Sequence, residues 1–113
     1  MPSKRTDIAL RDILHHIDLA THFIDGFSRD SFKADIRTFY AVTRCLEIIS
    51  ECSRRLPEGL KARHPDISWK QMAAAGNVYD YEDVAAQVVW DTVERSLSPL
   101  RIVIGQEIAR PKE

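Results

Sequence analysis

The sequence predicts an all-α fold, a single antiparallel helical bundle over residues 1–113. Three observations predict it. Apolar residues recur at helical spacing through most of the chain. Gly and Pro fall mostly between those periodic stretches, and no stretch alternates strictly as a half-buried strand would. A length of 113 residues is that of one ordinary domain.

Ile8, Leu10, Ile13, Leu14, Ile17, Ala20, Phe23 and Ile24 form the first stripe. Thr6 or Asp7 is expected to cap this helix, and Gly26 to end it in the left-handed conformation that costs glycine little. Ser28 or Asp30 then opens a second stretch. Phe32, Ile36, Phe39, Tyr40, Val42, Thr43, Leu46 and Ile49 line it. It is expected to run unbroken to Leu56, about 35 Å or more, and to stop at Pro57. Pro57, Gly59 and Pro65 divide the middle into short pieces anchored by Trp69, and Gly76-Asn77 signals a turn or helix end. Val84, Val88, Val89, Val93 and Leu97 define a third long helix, where Asp91, Glu94 and Arg95 argue against a strand. Ser98-Pro99 is expected to start a further helix, with serine as cap and proline in the first position. The sum is three or four antiparallel helices.

The charge balance is 17 acidic against 16 basic residues, which does not suggest a non-specific nucleic-acid binder but allows RNA contact at a small site. No apolar run approaches the roughly 20 residues that cross a bilayer. The N-terminal MPSKRTDIALRD lacks a signal-peptide core, so a cytoplasmic location is expected. Cys45 and Cys52 lie seven apart on one helical face, about 10 Å in Cα separation, too far for a disulfide. They are expected to be buried reduced thiols. The apolar excess on Val88, Val89, Leu97, Ile102 and Val103 points to a homodimer through the C-terminal helices.

Few residues suggest chemistry. His15, Asp18 and His22 share a helical face and have metal-ligand spacing, but no second helix offers a matching pair. A solvated polar face is the plainer reading, and neither metal nor cofactor is expected. His16 and His64 read as isolated and exposed. There is no P-loop, CxxC or nucleophile elbow. Arg44, Glu47 and Glu51 share one face of the second long helix, with Arg37 one heptad before Arg44. They form either a surface ion-pair row or a polar groove where arginine can hold a phosphate. In GNVYDYEDV, Tyr79 and Tyr81 flank Asp80 beside the Gly-Asn turn. Such tyrosines either bind phosphate and stack bases or simply pack against the bundle.

The segment AVTRCLEIISECSRRLPEGLKARHPDISWKQMAAAGNVYDYEDV resembles the core of the HepT-like HEPN toxins. The matching residues are Ala41, Val42, Arg44, Leu46, Glu47, Ile49 and Glu51, then His64, Pro65, Ile67 and Trp69; VVWDTVERSLSPL, with Trp90, resembles the last helix. The resemblance implies a homodimeric HEPN-like bundle that cleaves RNA without a metal, the toxin of a bacterial toxin–antitoxin pair. It implies a minimal nucleotidyltransferase antitoxin, MntA, as partner. It further implies a cleft fed by both protomers, with a catalytic arginine and histidine followed by a tyrosine that the antitoxin AMPylates. Here the chain departs from the family. Where the family often reads GNVYRHDYE, this sequence reads GNVYDYE, as though an Arg-His pair were missing between Tyr79 and Asp80. Tyr81 matches the modified tyrosine. Asn77, Arg44 and Glu51 are the cleft candidates that remain, and the chain is expected to be a weak ribonuclease. The alternatives are a non-catalytic helical dimer that presents Tyr81 to a nucleotidyltransferase, and a plain dimerisation domain.

Overall fold

A computed structural model describes residues 3–77 and 83–111. Among them the architecture is entirely helical: α1 Lys4–Phe23, α2 Arg29–Ala34, α3 Ile36–Arg54, α4 Glu58–Ala62, α5 Trp69–Ala74, α6 Asp83–Arg95 and α7 Leu97–Ala109. Tyr79, Asp80 and Tyr81 lie outside the described residues.

α1 begins earlier than expected. Ser3, not Thr6 or Asp7, is the cap, and its side chain accepts the Thr6 N–H at 3.1 Å. Lys4 and Arg5 are good helix formers and let the helix extend back to that serine. Asp7 then falls in the first turn, where its charge complements the positive helix end. Gly26 does adopt a positive φ of 83° beyond the end of α1.

The long second helix is in fact two. Ser28 opens α2 with a reciprocal capping box to Ser31. The chain breaks at Asp35 (φ −111°, ψ 93°), whose carboxylate accepts the Thr38 N–H at 3.2 Å and caps α3. Phe32 and Phe39 lie on either side of the break with ring centroids 6.2 Å apart, and Phe32 meets Trp90 of α6 at 5.5 Å. Both sides of the break therefore feed one core, and the apolar pattern runs on across it.

Leu10, Ile13 and Ile17 of α1 pack in the core with Val42, Leu46 and Ile49 of α3. The two helices are antiparallel, because the start of α1 shares a cavity with Arg55 and Pro57 just past the end of α3. α7 also packs on α1, adding Leu100 and Ile104 to the core, and Arg101 bonds Asp18 at 2.7 Å. Cys45 and Cys52 are buried free thiols, and burial pushes both above the ordinary thiol value.

The last helix starts at Leu97, so Ser98 is not its cap and Pro99 sits in its first turn. Ser96 keeps helical dihedrals (φ −99°, ψ −29°), and its N–H still reaches the Thr92 carbonyl at 2.9 Å. Pro99 has no N–H to give the carbonyl of Arg95, so the hydrogen-bond ladder is interrupted without a loop. Val89 and Leu97 are fully buried in this chain's own core and cannot be interface residues. Val88 and Ile102 are exposed, as are Val84, Ile36 and Tyr40. No described helix is long and apolar enough to cross a membrane.

Candidate functional site

α3 buries one face and leaves a polar row on the other. Arg44 approaches Glu47 at 3.9 Å across one turn, and Glu51 bonds Arg55 across the next. Arg44 and Glu51 are two turns apart, about 10 Å along the axis, and do not form one contact. Arg44 is two-thirds exposed and only loosely held, so its guanidinium is available to an anion.

The Gly76-Asn77 turn is delivered to this row by α5, and α5 is fastened to α3 by two side chains. Ser50, buried, donates to the Met72 carbonyl at 2.9 Å and accepts the Gly76 N–H at 2.7 Å. Arg54 donates to the Ala73 carbonyl at 2.7 Å. Gly76 lies directly on the α3 backbone: a Cβ there would stand 2.7 Å from Glu47 Cα and 3.1 Å from Ser50 Oγ. The requirement is for space rather than for an unusual φ, since Gly26 has the one positive φ among the described residues. Asn77 is exposed, with its N–H on the Ala74 carbonyl at 3.0 Å. The turn therefore leaves α3 beside Glu47, one turn from Arg44 and one from Glu51.

Gly76→Ala should destabilise the protein by about 1–3 kcal/mol, a fall of roughly 5–15 °C in melting temperature. Gly105→Ala is the control. It lies inside α7 with nothing within 4 Å of an added Cβ, and there alanine should stabilise by about 0.5–1 kcal/mol. Thermal melts of the two variants should move in opposite directions; an unchanged midpoint for Gly76→Ala would mean that α5 does not press on α3.

His64 is not isolated and exposed. Its Nε2 lies 2.6 Å from Glu107 Oε2, and its side chain is 14 % exposed. Arg63 grips the same carboxylate with both Nε (3.2 Å) and Nη2 (2.6 Å). The Glu107 side chain is 5 % exposed. The hydrogen bond from Arg63 is the main cause of a Glu107 pKa below the ordinary carboxylate value; burial opposes it and His64 assists. Trp69 locks the same loop from the other side, with Nε1–H shared between the carbonyls of Lys61 (3.0 Å) and His64 (3.1 Å). Together these contacts fix the α4–α5 segment that leads into the Gly76 turn.

On α1, Asp18 is engaged by Arg101, so His15 and His22 share their face with an occupied carboxylate. Among the described residues no cluster of His, Cys, Asp and Glu is disposed to hold a metal. The sequence reading missed Ser50, Arg54 and Glu107. The signal for Glu107 was present: it continues the Leu100–Ile104 stripe, where an acid must find a partner.

Comparison with known proteins bears on this geometry. A family described as "Ribonuclease HepT-like" matches residues 13–107. A protein named as a probable ribonuclease HepT from Thermococcus cleftensis is 35% identical over 94 residues, covering 81% of this chain and 86% of that protein. One named as a candidate RNase from Methanocaldococcus jannaschii is 33% identical over 95 residues, covering 82% and 78%. Another candidate RNase, from Caldanaerobacter subterraneus, is 25% identical over 105 residues, covering 91% and 94%. No solved structure matches.

Proposed function

The chain belongs to the HepT-like ribonuclease family, and from that premise we propose that it is an endoribonuclease toxin scaffold whose own chemistry is weak. The observation that carries the reading is the clamp at Gly76. Ser50 and Arg54 hold α5 on α3, so the Gly76-Asn77 turn, which precedes Tyr79 and Tyr81 in sequence, lies beside the Arg44–Glu47–Glu51 row. Arg44 would hold the RNA phosphate, Asn77 would donate to it from the turn, and Glu51 would keep Arg55 oriented at the rim. In the reaction a ribose 2′-OH attacks its own 3′ phosphorus, the 5′-oxygen leaves, and a 2′,3′-cyclic phosphate forms. Proton transfer in that step calls for an imidazole, which GNVYDYE does not supply.

The partner is a minimal nucleotidyltransferase antitoxin that neutralises the family in the cytoplasm by AMPylating a tyrosine. Tyr81 is the acceptor in this chain, because it precedes the acidic start of α6 and keeps the family spacing to Trp90. Growth after induced expression in a bacterial host tests the whole reading. This chain should permit growth, and a form with Arg-His reinserted between Tyr79 and Asp80 should stop it unless the nucleotidyltransferase is coexpressed. Growth arrest by the present chain would contradict the proposal. Peptide mass spectrometry after incubation with the antitoxin and ATP should find the nucleotide on Tyr81; nucleotide on Tyr79 would refute the assignment.

The chain is also proposed to be a homodimer, through exposed apolar residues of α6 and α7. Val88 and Ile102 are the anchors that remain after Val89 and Leu97 are assigned to the core. Light scattering at tens of micromolar should give the dimer mass, and Val88→Asp should shift it toward the monomer. A monomeric parent would exclude a shared cleft.

A further inference from the structure

A groove lies between α4 and α5. It encloses about 420 Å³ and is lined by Glu58, Lys61, Ala62, Trp69, Lys70 and Ala73. The Trp69 indole forms one wall. Its N–H is spent on two main-chain carbonyls, so its polar edge is turned inward and satisfied. What it offers the groove is hydrocarbon. Ala62 and Ala73 are too small to cover a ring, which leaves a slot suited to a flat partner. The charges around it are mostly cationic. Lys70 is exposed and makes no ion pair among the described residues. Lys61 meets Glu58, the one carboxylate of the lining, at 3.2 Å. Arg54 stands behind the groove on the Ala73 carbonyl.

We infer that this groove is a stacking subsite for an unpaired base of single-stranded RNA, with Trp69 as the platform and Lys70 contacting the adjacent phosphate. An aromatic face beside an unpaired ammonium, here that of Lys70, is a way for proteins to hold single strands without reading sequence. α5 runs from Trp69 to Ala74, about 8 Å at 1.5 Å per residue, and the turn at Gly76 then leads to Asn77. A base seated here would therefore hold the strand a short distance from the Arg44 row. The inference rests on the ribonuclease reading only in taking RNA as the anion, and it concerns binding rather than cleavage.

The test uses the full chain and a short single-stranded oligouridylate in chelator at low salt. Anisotropy of a labelled oligonucleotide reports binding anywhere on the protein, and tryptophan emission reports binding at Trp69, because Trp90 is buried. The oligonucleotide should raise the anisotropy and quench the emission. Trp69→Leu should weaken binding roughly 5- to 100-fold. Lys70→Glu, at an exposed position where folding is not at stake, should weaken it several-fold and steepen its loss with salt less than in the parent. Binding with unchanged emission, and with parental affinity in Lys70→Glu, would overturn the subsite while leaving RNA binding elsewhere intact. Equal quenching by a duplex, or by an acidic peptide of matched charge, would overturn base stacking. No rise in anisotropy at all would overturn both the subsite and the RNA-binding part of the function, whereas binding without cleavage would leave the subsite standing.

Discussion

Reinserting Arg-His between Tyr79 and Asp80 should raise metal-free RNA cleavage by about 10²–10⁴-fold, the usual contribution of one general acid–base group. Cleavage depends on a group that can move a proton near neutral pH. Tyrosine phenols titrate near pH 10 and are poor bases at pH 7. His15, His16 and His22 belong to α1, and His64 is bound to Glu107 in the α4–α5 loop. What the Gly76 turn carries beside the α3 row is Asn77, a neutral amide. An inserted imidazole would follow Val78, Tyr79 and the inserted arginine in sequence, and the inserted guanidinium would add to the positive charge that Arg44 can offer the pentacoordinate phosphorane. Loop length and chemistry must be separated. An Ala-Ala insertion restores the length without the imidazole and should leave cleavage close to that of the present chain. Cleavage by the Ala-Ala form equal to that of the Arg-His form would show that the shortened loop, and not the missing histidine, limits the reaction.

Removing the Glu107 side chain should be the most damaging truncation of a charged side chain, since it is the buried one among the described residues. Glu107→Ala leaves Arg63 and His64 facing a hole at the end of α7. Breaking a buried charge pair costs about 3–5 kcal/mol, and the partial exposure of Arg63 lowers the expectation to roughly 2–4 kcal/mol. The loss should show a pH signature. The folded-state pKa of Glu107 is lowered, chiefly by Arg63. Its contribution is therefore complete above the unfolded value, near 4.3, and disappears as the pH falls through the folded value. The melting temperatures of the parent and Glu107→Gln should differ most at neutral pH and converge as the pH falls below about 4. A gap that stays constant down to pH 3 would mean that the carboxylate charge contributes nothing. Since the same network fixes the loop ahead of α5, Glu107→Gln should also loosen Trp69, visible as a red shift in its emission.

The helices were legible wherever burial alone chose the residues. The stripes of α1, α3 and α6 are visible because the core face of a helix must repeat at three and four residues. The break at Asp35 was not legible. Phe32, Ile36 and Phe39 keep helical spacing across it, and a lone aspartate does not distinguish a cap from an exposed side chain. Ser98-Pro99 misled for a related reason. The dipeptide fits a helix start, but the chain has enough ladder through Ser96 to begin the helix two residues sooner. At the candidate site, Arg44, Glu51 and Asn77 came from resemblance, and the row on α3 came from spacing. The clamp that gives the row its setting joins Ser50 to Met72 and Gly76, and Arg54 to Ala73. Those partners are 19 to 26 residues apart, beyond any helical period. The Glu107 network spans still more of the chain, and only the acid in an apolar stripe announced it.

The claim that this chain holds a ribonuclease architecture with its proton-transfer group missing is tested most directly by the ends of the RNA it leaves. The present chain and the Arg-His form should be incubated side by side with one single-stranded RNA in excess chelator, and the fragments read by mass spectrometry. The account predicts 2′,3′-cyclic phosphate ends that accumulate with the Arg-His form and are barely detectable with the present chain. Full cleavage by the present chain, or fragments ending in a free 3′-hydroxyl, would contradict it.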